Sequence, residues 1–487
     1  MKIPINQIIN KMNDFERMAD EMLEKAQIAA AVFQQLDQKE TDRIVEKVFH
    51  AGFNARVKLA KMAHEETGMG NWQHKVLKNV IATQLVYESI KNLKTVGVIS
   101  ENHQTGITEI AQPLGPIFAI VPVTNPTSTV LYKTLICLKS RNPVIFSVHR
   151  NAVNAGKEAV RICYEAALKA GAPDDCLQIV PEHSRELTQA IMTHSKLALI
   201  LATGGTGLVK AAYSSGNPAI GVGPGNVPVF IDRSADIPFA VGSVISSKTF
   251  DNGTICASEQ SIVVEKRISG KVMSEFKKQG GHFLNPDEVK MLEKVAIDPA
   301  SGSMSAGVVG KSAQFIADLA GIKLPEGTRL MLAPLDGIGK DYPISGEILA
   351  PILGYFECDN YEDAIKTCID LNYLGGIGHT ASVYANDDKR IIEFAKIMNA
   401  GRIVVNTPSS QGAVGWTYNT LAPSLTLGCG TGGKNITTEN ISAQHLINIQ
   451  RVARRRLNFS FYNFDRDKYS SEKFTEKDLD SEYYKNQ

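Results

Sequence analysis

The sequence predicts an α/β protein built from two doubly wound domains, and three observations carry that prediction. From Pro116 onward, short apolar runs alternate with amphipathic stretches long enough to form helices. A second alternating set of the same kind follows Cys256. The chain has 487 residues, which at about 100–200 residues per domain leaves room for more than one domain. Near-continuous apolar strands separated by helices are typical of parallel sheets covered on both faces, so we expect two such sheets in series.

The composition excludes several classes of protein. Lys and Arg number 52 against 51 Asp and Glu, so the net charge is +1 and binding of nucleic acid through bulk charge is not expected. No apolar run reaches the roughly 18 residues of a membrane-spanning helix, and the N-terminus lacks the apolar core of a signal peptide. Seven cysteines without a CxxC pair favour neither a disulfide framework nor a zinc ribbon. We therefore expect a cytoplasmic protein with no metal, no membrane and no nucleic acid among its partners.

The first 95 residues or so predict helices. Apolar residues recur with helical spacing from Ile44 to Ala63, and Gly68 is a suitable residue to end the last of these helices. A hairpin is predicted next, with strands Val96–Ser100 and Ile107–Ala111. A long ribbon here has little local core to cover. It therefore fits either an arm that pairs with a partner subunit or a hairpin that lies on its own domain.

Two sets of strands are predicted after the hairpin. The first set comprises Ile117–Val121, Val144–Ser147, Leu177–Val180, Leu197–Leu201 and Val227–Asp232. The second set comprises Ser261–Glu265, Gly307–Val309, Ile352–Phe356, Ala381–Tyr384 and Ile403–Val405. A helix is expected over Ala152–Ala170. Residues 457–487 mix acids, bases and aromatics without a clear period, so we expect an extended or partly ordered tail.

Two glycine-rich loops could hold a phosphate. Thr203-Gly204-Gly205 follows a strand and opens a helix, where bare backbone N–H groups suit an anion. It does not match the GxGxxG fingerprint, and a purely structural turn explains it equally well. The loop Gly221-Val-Gly-Pro-Gly-Asn226, which contains Gly223, is equally ambiguous by itself.

Cys256 has the least core-like surroundings of the seven cysteines. Small polar residues and an Asn252-Gly253 turn flank its sulfur, so the thiol could serve as a nucleophile, although an inert buried thiol is the alternative. Two histidines are also candidates for a site. His149 follows a strand end, where ligands meet a doubly wound sheet, and His379 lies in a glycine-rich loop. Either could instead be a structural hydrogen-bonding residue.

Several of these features occur in one order along the chain. Together they resemble the aldehyde dehydrogenase superfamily, and specifically its coenzyme A-acylating branch, over about residues 40–456. That branch includes acylating acetaldehyde dehydrogenases and the N-terminal half of bifunctional aldehyde/alcohol dehydrogenases. The matching segments are Pro113-Leu-Gly-Pro116, Val123-Thr-Asn-Pro-Thr-Ser-Thr129, Phe250-Asp-Asn-Gly-Thr-Ile-Cys-Ala-Ser-Glu-Gln260, Gly378-His-Thr380 and Leu421-Ala-Pro-Ser-Leu-Thr-Leu-Gly-Cys-Gly430.

The resemblance implies a mechanism. Cys256 would attack the aldehyde carbonyl, and the Asn125 amide together with the Cys256 backbone N–H would hold the oxyanion. Hydride would pass to NAD, with NADP as the alternative, and an acyl-thioester would remain on Cys256. The cofactor-binding residues that the resemblance implies are Thr203, Gly204, Gly205, His149, Arg150, Gly223 and Glu347. Glu347 matches the acid that holds the nicotinamide ribose, and Arg150 could meet a phosphate of NADP or of coenzyme A.

One departure from the hydrolytic branch indicates the acyl acceptor. Hydrolytic members carry a glutamate base about 35 residues before the cysteine, where this chain has Gly221. General-base help is worth about 10²–10⁴-fold, so attack by water should be slow without it. We therefore expect coenzyme A as the acceptor and acyl-CoA as the product. Glu259 is the nearest acid that could substitute as a base in a hydrolytic enzyme.

The aldehyde and the assembly are less determined. Acetaldehyde is the expected substrate, with succinate semialdehyde, sulfoacetaldehyde, propanal and butanal as alternatives; Lys248 and Arg402 are the candidates for binding an anionic one. A homodimer or larger homo-oligomer is expected through the arm. The amphipathic start of the chain (Ile3, Ile5, Ile8, Ile9, Met12) could target a microcompartment shell or form an ordinary surface helix. A non-catalytic dinucleotide-binding scaffold is a further alternative.

The resemblance also implies a division of the chain. Residues 1–95 and 113–227 would form the dinucleotide-binding domain, and residues 228–418 the catalytic cysteine domain. Residues 96–112, with part of 419–456, would form the arm hairpin, and residues 457–487 the tail.

Overall fold

The computed structural model describes residues 5–182, 184–457 and 465–485. The N-terminal part is helical as predicted, with α1 (Ile5–Gln35), α2 (Gln38–Asn54), α3 (Arg56–Thr67), α4 (Trp72–Val80), a π-helical turn (Ile81–Leu85) and α5 (Val86–Ile90). Asp37 begins α2 through a capping box with Glu40, and Gly68 ends α3 at a φ of 63°. Of the amphipathic start, Ile3 lies outside the described residues, whereas the backbone from Ile5 onward belongs to α1.

The predicted hairpin is confirmed and belongs to a three-stranded antiparallel sheet. Strands β1 (Gly97–Asn102) and β2 (Ile107–Pro113) pair with each other, and β2 also pairs with a strand from the far end of the chain, Ile447–Ala453. The side chains of Val98, Ile449 and Val452 are 50%, 41% and 44% exposed. This arm sheet therefore presents apolar side chains to its surroundings.

The next part of the chain forms a five-stranded parallel sheet in the order β5-β4-β3-β6-β7. The strands are β3 (Ile117–Val121), β4 (Val144–Val148), β5 (Leu177–Ile179), β6 (Leu199–Thr203) and β7 (Ala219–Val222), and the helices are α6 (Pro126–Lys139), α7 (Val153–Lys169), α8 (Arg185–Thr193) and α9 (Thr206–Tyr213). All five residues of β3 are buried, as expected for a central strand with helices on both faces. Strands are added in one direction from β3 to β5 and in the other direction from β6 to β7, and ligands bind at such a switch point in doubly wound sheets.

A seven-stranded parallel sheet follows, in the order β10-β11-β12-β9-β8-β13-β14. Its strands are β8 (Val227–Ile231), β9 (Glu259–Glu265), β10 (Gly281–Phe283), β11 (Leu330–Pro334), β12 (Ile352–Cys358), β13 (Gly378–Tyr384) and β14 (Ala400–Val405). Its helices are α10 (Ile237–Thr249), α11 (Lys266–Lys278), α12 (Pro286–Ala296), α13 (Ala313–Ala320), α14 (Tyr361–Gly375), α15 (Asp388–Ile397) and α16 (Ser409–Val414). No helix among the described residues is both long and apolar enough to cross a membrane.

Two sequence predictions in this part of the chain were wrong. The sequence pattern groups Val227–Asp232 with the first set of strands, but β8 pairs with β9 and β13 in the second sheet. Gly307–Val309 is a turn and not a strand, because its backbone bonds are local, from Val308 to Ser305 and from Lys311 to Val308. The described part of the tail also contains helices, α17 (Arg466–Tyr469) and α18 (Glu476–Lys485), after the last strand β15 (Ile447–Ala453). Every α18 residue whose burial is described is exposed, so the helix left no apolar stripe to detect in the sequence.

The carboxyl ends of strands in the first sheet lie near the amino ends of strands in the second. Asn125 and Gly204 follow the carboxyl ends of β3 and β6 in the first sheet. Cys256, Gly225 and the start of β13 lie at the amino ends of strands in the second sheet. A hydrogen bond of 3.2 Å from Asn125 Nδ2 to the Thr254 carbonyl oxygen joins the two edges. The candidate site lies in this junction.

Candidate active site

Cys256 is set apart from the other thiols by its exposure. The other six cysteines are buried, whereas Cys256 is partly exposed. It follows a tight turn, Phe250–Gly253, in which Asp251 and Asn252 have φ values of 49° and 53°, in the left-handed region. Desolvation raises the pKa of Cys256 to about 12, and the carboxylate of Glu347 adds to the rise. Attack on a carbonyl therefore requires a group that can take the thiol proton.

Asn125 lies between a buried lysine and the loop segment that leads to Cys256. It is the first residue of the turn into α6, whose N1 position is Pro126. Its Oδ1 accepts a hydrogen bond of 2.6 Å from Lys78 Nζ. Its Nδ2 donates to Thr254 O at 3.2 Å and to Thr124 Oγ1 at 3.1 Å. The amide N–H groups thus point toward the segment that carries the thiol.

Asp251 is the centre of a buried ionic cluster behind this segment. Its carboxylate accepts hydrogen bonds from Lys75, Lys78 and Thr254, and from the Asn71 backbone N–H at 2.7 Å. Burial by itself would raise the pKa of Asp251, but the charges of the two lysines outweigh burial and lower the pKa to about 2. This cluster ties the positive-φ turn to helix α4.

His379 stands on the other side of Cys256. It is buried; its Nδ1 hydrogen-bonds to Thr380 Oγ1 at 2.9 Å, while Nε2 has no hydrogen-bond partner among the described residues. A Cβ placed on Gly225 would lie 2.5 Å from the Cys256 carbonyl oxygen and 3.0 Å from His379 Cγ, so only glycine lets these residues approach so closely. Burial, with the charge of Arg402 as a second cause, lowers the pKa of His379 to about 3. The imidazole is therefore neutral near pH 7 and can accept a proton only transiently.

Arg402 brings a buried positive charge to the same region. Its guanidinium donates to the carbonyl oxygens of His379, Gly428 and Thr438 and to the Thr380 hydroxyl. Through these hydrogen bonds, Arg402 links β13 to the loop that contains Gly428. It is not free to bind an anionic aldehyde in this arrangement.

Glu347 lies close to the thiol. Its Oε1 accepts a hydrogen bond of 2.9 Å from the Gly225 N–H. Desolvation raises the pKa of Glu347 to about 7, against the opposing effects of the Gly225 N–H and of Lys248. Lys248 is itself buried, and its Nζ donates to Gln260 Oε1 and Ile348 O, both at 2.9 Å. Lys248 is thus held by neutral oxygens and is not presented to a substrate.

The glycine loop after β6 offers space for a phosphate. Helix α9 begins without a side-chain cap at Gly205, and a Cβ on Gly205 or Gly223 would meet no atom within 4 Å. Gly204 has less room, because a Cβ there would lie 3.0 Å from Leu208 Cδ2. An uncapped helix start beside open space fits the pyrophosphate of a dinucleotide, whose anionic oxygens would be held by backbone N–H groups.

The remaining predicted cofactor residues lie at the same edge of the sheet. His149 follows β4, and its Nδ1 accepts a hydrogen bond of 3.2 Å from the Asn151 N–H. His149 and Arg150 are exposed. Thr203 ends β6, and its Oγ1 lies 3.4 Å from Thr426 Oγ1. Strand order thus brings these residues to one edge, whereas Glu347 belongs to the opposite side of the junction.

Sequence reasoning missed the ionic cluster. Lys75 and Lys78 are buried, although lysines in a helix are ordinarily expected to face water. Their partner Asp251 is 176 and 173 residues away, so no local pattern could reveal it. The sequence offers His379 as a candidate but indicates no role for it, because its position near Cys256 depends on the pairing of β13 with β8.

One partly exposed thiol thus lies where the carboxyl ends of one parallel sheet meet the amino ends of another. The chain belongs to the aldehyde dehydrogenase family, which it matches over residues 6–418. The resemblance and the fold class inferred from the sequence are thereby confirmed.

Among characterised relatives, the chain is 45% identical over 447 residues to an aldehyde-alcohol dehydrogenase of Clostridium acetobutylicum, covering 91% of this chain and 51% of that protein. The chain therefore spans about half the length of that relative. It is 35% identical over 434 residues to an acetylating succinate-semialdehyde dehydrogenase of Clostridium kluyveri, covering 89% of this chain and 94% of that protein.

Two solved structures of aldehyde dehydrogenases are similar in fold to this chain. An acetylating aldehyde dehydrogenase from Geobacillus thermoglucosidasius has a TM-score of 0.89 at 45% identity, covering 92% of this chain and 98% of that one. A propionaldehyde dehydrogenase from Rhodopseudomonas palustris, with bound CoA and an acylated cysteine, has a TM-score of 0.81 at 28% identity, covering 90% and 97%.

Proposed function

We propose that this chain catalyses the reversible, NAD(P)-dependent oxidation of a short-chain aldehyde with coenzyme A to an acyl-CoA. The observation that carries the proposal is the site itself, a partly exposed Cys256 thiol beside the Asn125 amide with no carboxylate at position 221. The relatives named above, whose names include acetylating dehydrogenases, support the same reaction.

The absence of a base at position 221 has a steric cause. A Cβ on Gly221 would lie 2.8 Å from Val209 Cγ1 and 3.1 Å from Tyr213 Cζ. The Tyr213 hydroxyl also makes two hydrogen bonds to the Gly221 backbone. It donates to the Gly221 carbonyl oxygen at 2.8 Å and accepts from the Gly221 N–H at 3.0 Å. A glutamate therefore cannot be accommodated there, which supports a thiol rather than water as the acyl acceptor.

The first half-reaction uses Cys256 and Asn125. The thiolate sulfur forms a bond to the aldehyde carbon, and the carbonyl oxygen becomes an oxyanion that accepts a hydrogen bond from Asn125 Nδ2. Nδ2 must then exchange one of its two present acceptors for the oxyanion. A bound nicotinamide dinucleotide supplies the hydride acceptor. Collapse of the oxyanion expels hydride from the same carbon and leaves a thioester on Cys256.

His379 is suited to the proton transfers of both halves. The neutral imidazole, with Nδ1 donating to Thr380 Oγ1, leaves Nε2 as an acceptor without a hydrogen-bond partner among the described residues. The Cγ and Nδ1 atoms of the ring lie near Gly225, as does the Cys256 carbonyl oxygen. The imidazole would take the Cys256 proton in the first half and the coenzyme A thiol proton in the second. The coenzyme A sulfur then bonds to the acyl carbon, the bond to Cys256 breaks, and the Cys256 thiolate leaves.

Cofactor, substrate and assembly follow from the same proposal. Thr203, Gly204, Gly205, Gly223 and His149 would line the dinucleotide crevice. Arg150, exposed at its rim, would contact a phosphate of NADP or of coenzyme A.

NAD is the proposed cofactor and acetaldehyde the proposed substrate. The apolar exposed arm sheet supports a homo-oligomer. The named relatives act on different aldehydes by name, so succinate semialdehyde and propanal are the next substrates to test.

The decisive experiment measures NADH formation from acetaldehyde and NAD, with and without coenzyme A, on the wild type and on Cys256→Ala. We expect turnover that depends on coenzyme A and disappears in the variant. Sustained turnover without coenzyme A would contradict the proposal and point to Glu347 or Glu259 as a base that activates water. Absence of turnover with acetaldehyde, propanal, succinate semialdehyde and NADP alike would favour a non-catalytic scaffold.

A further inference from the structure

Lys78 is a buried cation, and each of its three N–H groups has a hydrogen-bond acceptor. Its Nζ donates to Asn125 Oδ1 at 2.6 Å, to Thr254 Oγ1 at 2.8 Å and to the Asp251 carboxylate. The side chain is 3% exposed. An ammonium carries three hydrogens and no lone pair, so each of these partners must be an acceptor. Lys78 therefore contacts the proposed oxyanion donor directly.

The chemistry of this contact, together with that of the Thr254 carbonyl, decides which way the Asn125 amide faces. An asparagine amide can rotate so that its oxygen and nitrogen exchange places, and only the pattern of hydrogen bonds selects one orientation. Lys78 Nζ can accept nothing, so it must face Oδ1. Nδ2 is then turned to the other side, where it donates to the Thr254 carbonyl two residues before Cys256.

We propose that Lys78 is a positioning residue for the reaction, which holds the Asn125 side chain with its N–H groups toward the carbonyl attacked by Cys256. The proposal rests on the oxyanion role given to Asn125 in the proposed function. In this arrangement the three hydrogen bonds of Lys78 go to Asn125, Asp251 and Thr254, so the Asn125 amide is its contact with the proposed oxyanion donor.

Lys75 offers a matched control one helical turn away. It is also buried and also donates to the Asp251 carboxylate, at 3.0 Å. Its other hydrogen bond, of 3.1 Å, goes to the Thr124 backbone carbonyl and not to the Asn125 amide. Replacing either lysine by methionine removes one buried charge beside Asp251. Only the Lys78 replacement removes the donor that holds Oδ1 of Asn125.

The test is a pair of double-mutant cycles, measured as steady-state kcat and KM for acetaldehyde with NAD and coenzyme A. Asn125→Ala alone should lower kcat by about 10²–10³-fold, as for other oxyanion donors. Lys78→Met should lower kcat by about 10-fold to 10²-fold, with KM for the aldehyde changed by less than about 3-fold. In the Asn125→Ala background, Lys78→Met should then cost less than about 2-fold.

The control cycle separates positioning from loss of structure. Lys75→Met should lower the thermal midpoint about as much as Lys78→Met. Lys75→Met should lower kcat by the same factor in the wild-type background as in the Asn125→Ala background. If Lys78→Met costs the same factor in both backgrounds, Lys78 does not act through Asn125 and the proposal is overturned.

Two further outcomes, wild-type turnover in Asn125→Ala and failure of Lys78→Met to fold, each have a defined meaning. If Asn125→Ala retains wild-type turnover, the oxyanion role itself is wrong, which is a failure of the proposed function and is read from that single variant. If Lys78→Met does not fold, Lys78→Gln is measured in the same cycle. It keeps polar atoms for Asp251 and Thr254 but can present either end of its amide to Asn125, and the same non-additivity is expected.

Discussion

At the scale of single residues, the site is built from groups whose ordinary protonation is shifted by burial. Desolvation raises the pKa of Cys256 and lowers the pKa of His379, so both the thiol and the imidazole are neutral near pH 7. The thiolate nucleophile is formed only when the thiol loses its proton. A free enzyme of this kind protects its thiol from adventitious reagents while keeping it available for an aldehyde.

This arrangement predicts how alkylation of Cys256 depends on pH. With the pKa of Cys256 at about 12, the thiolate fraction below that value rises about tenfold per pH unit. The rate of iodoacetamide labelling of the free enzyme should therefore keep rising from pH 7 to pH 10 without a plateau. Peptide mass spectrometry of quenched samples measures the rate at Cys256 separately from the six buried thiols. A plateau near pH 8 would mean that a neighbouring charge stabilises the thiolate.

Residue-scale features differ in how far the sequence could reveal them. The surroundings of Cys256 are small and polar over a continuous stretch, so the candidate thiol could be recognised locally. The burial of Lys78 could not, because an isolated lysine in an amphipathic helix looks like any exposed one. Its acceptors Asn125 and Asp251 come from two other parts of the chain.

At the scale of elements, turns and strand ends do more to define the site than the strands themselves. The segments before β8 and β9 carry Gly225 and Cys256, and His379 is the second residue of β13. Gly225 permits an approach that any side chain would block. Gly221 in β7 is equally constrained, by Val209 and Tyr213 of the neighbouring helix.

We expect Gly221→Glu to destabilise the protein and not to create a hydrolytic enzyme. The collision of a Cβ with Val209 and Tyr213 should make even Gly221→Ala less stable by about 1–3 kcal/mol. Gly270→Ala is the matched control, since Gly270 lies within α11 with open space around it, and it should stabilise by about 1 kcal/mol. Thermal midpoints compare the three variants. Aldehyde oxidation by Gly221→Glu without coenzyme A would contradict the steric argument.

The strand predictions show where sequence patterns stop being informative. Strands β3, β4, β9 and β12 were found because aliphatic and β-branched residues fill them. Strand β11, Leu330-Met-Leu-Ala-Pro334, was missed because most of its residues also favour helices, and β10 has only three residues. Pairing with neighbouring strands, rather than local preference, places both in the sheet.

At the scale of the whole molecule, a strand from late in the chain completes the arm sheet. Strand β15 pairs with β2 across more than 300 residues of sequence. The arm sheet leaves two strand edges and several apolar side chains exposed, which is the ordinary signature of an interface. The division of the chain into domains at residues 95, 113, 227 and 418 stays a prediction.

The proposed homo-oligomer can be tested on the arm. Ile449→Lys combined with Val452→Lys should shift the sedimentation coefficient toward that of a monomer, because burying two new charges in an interface is costly. Gln450→Lys, on the same strand and also exposed, adds a charge without removing an apolar side chain and should change the assembly less. Equal sedimentation of all three proteins would exclude this strand from any interface.

The hydrogen bond from the Asn71 N–H to Asp251 has a consequence for the order of refolding. It joins residues 180 positions apart, and the bond from Asn125 to Thr254 spans another 129. Closing such long loops is entropically costly, so these contacts form only after the local helices and both sheets are in place. A refolding chain should thus regain its helical signal well before its first turnover, and recovered activity marks the completion of the entire fold.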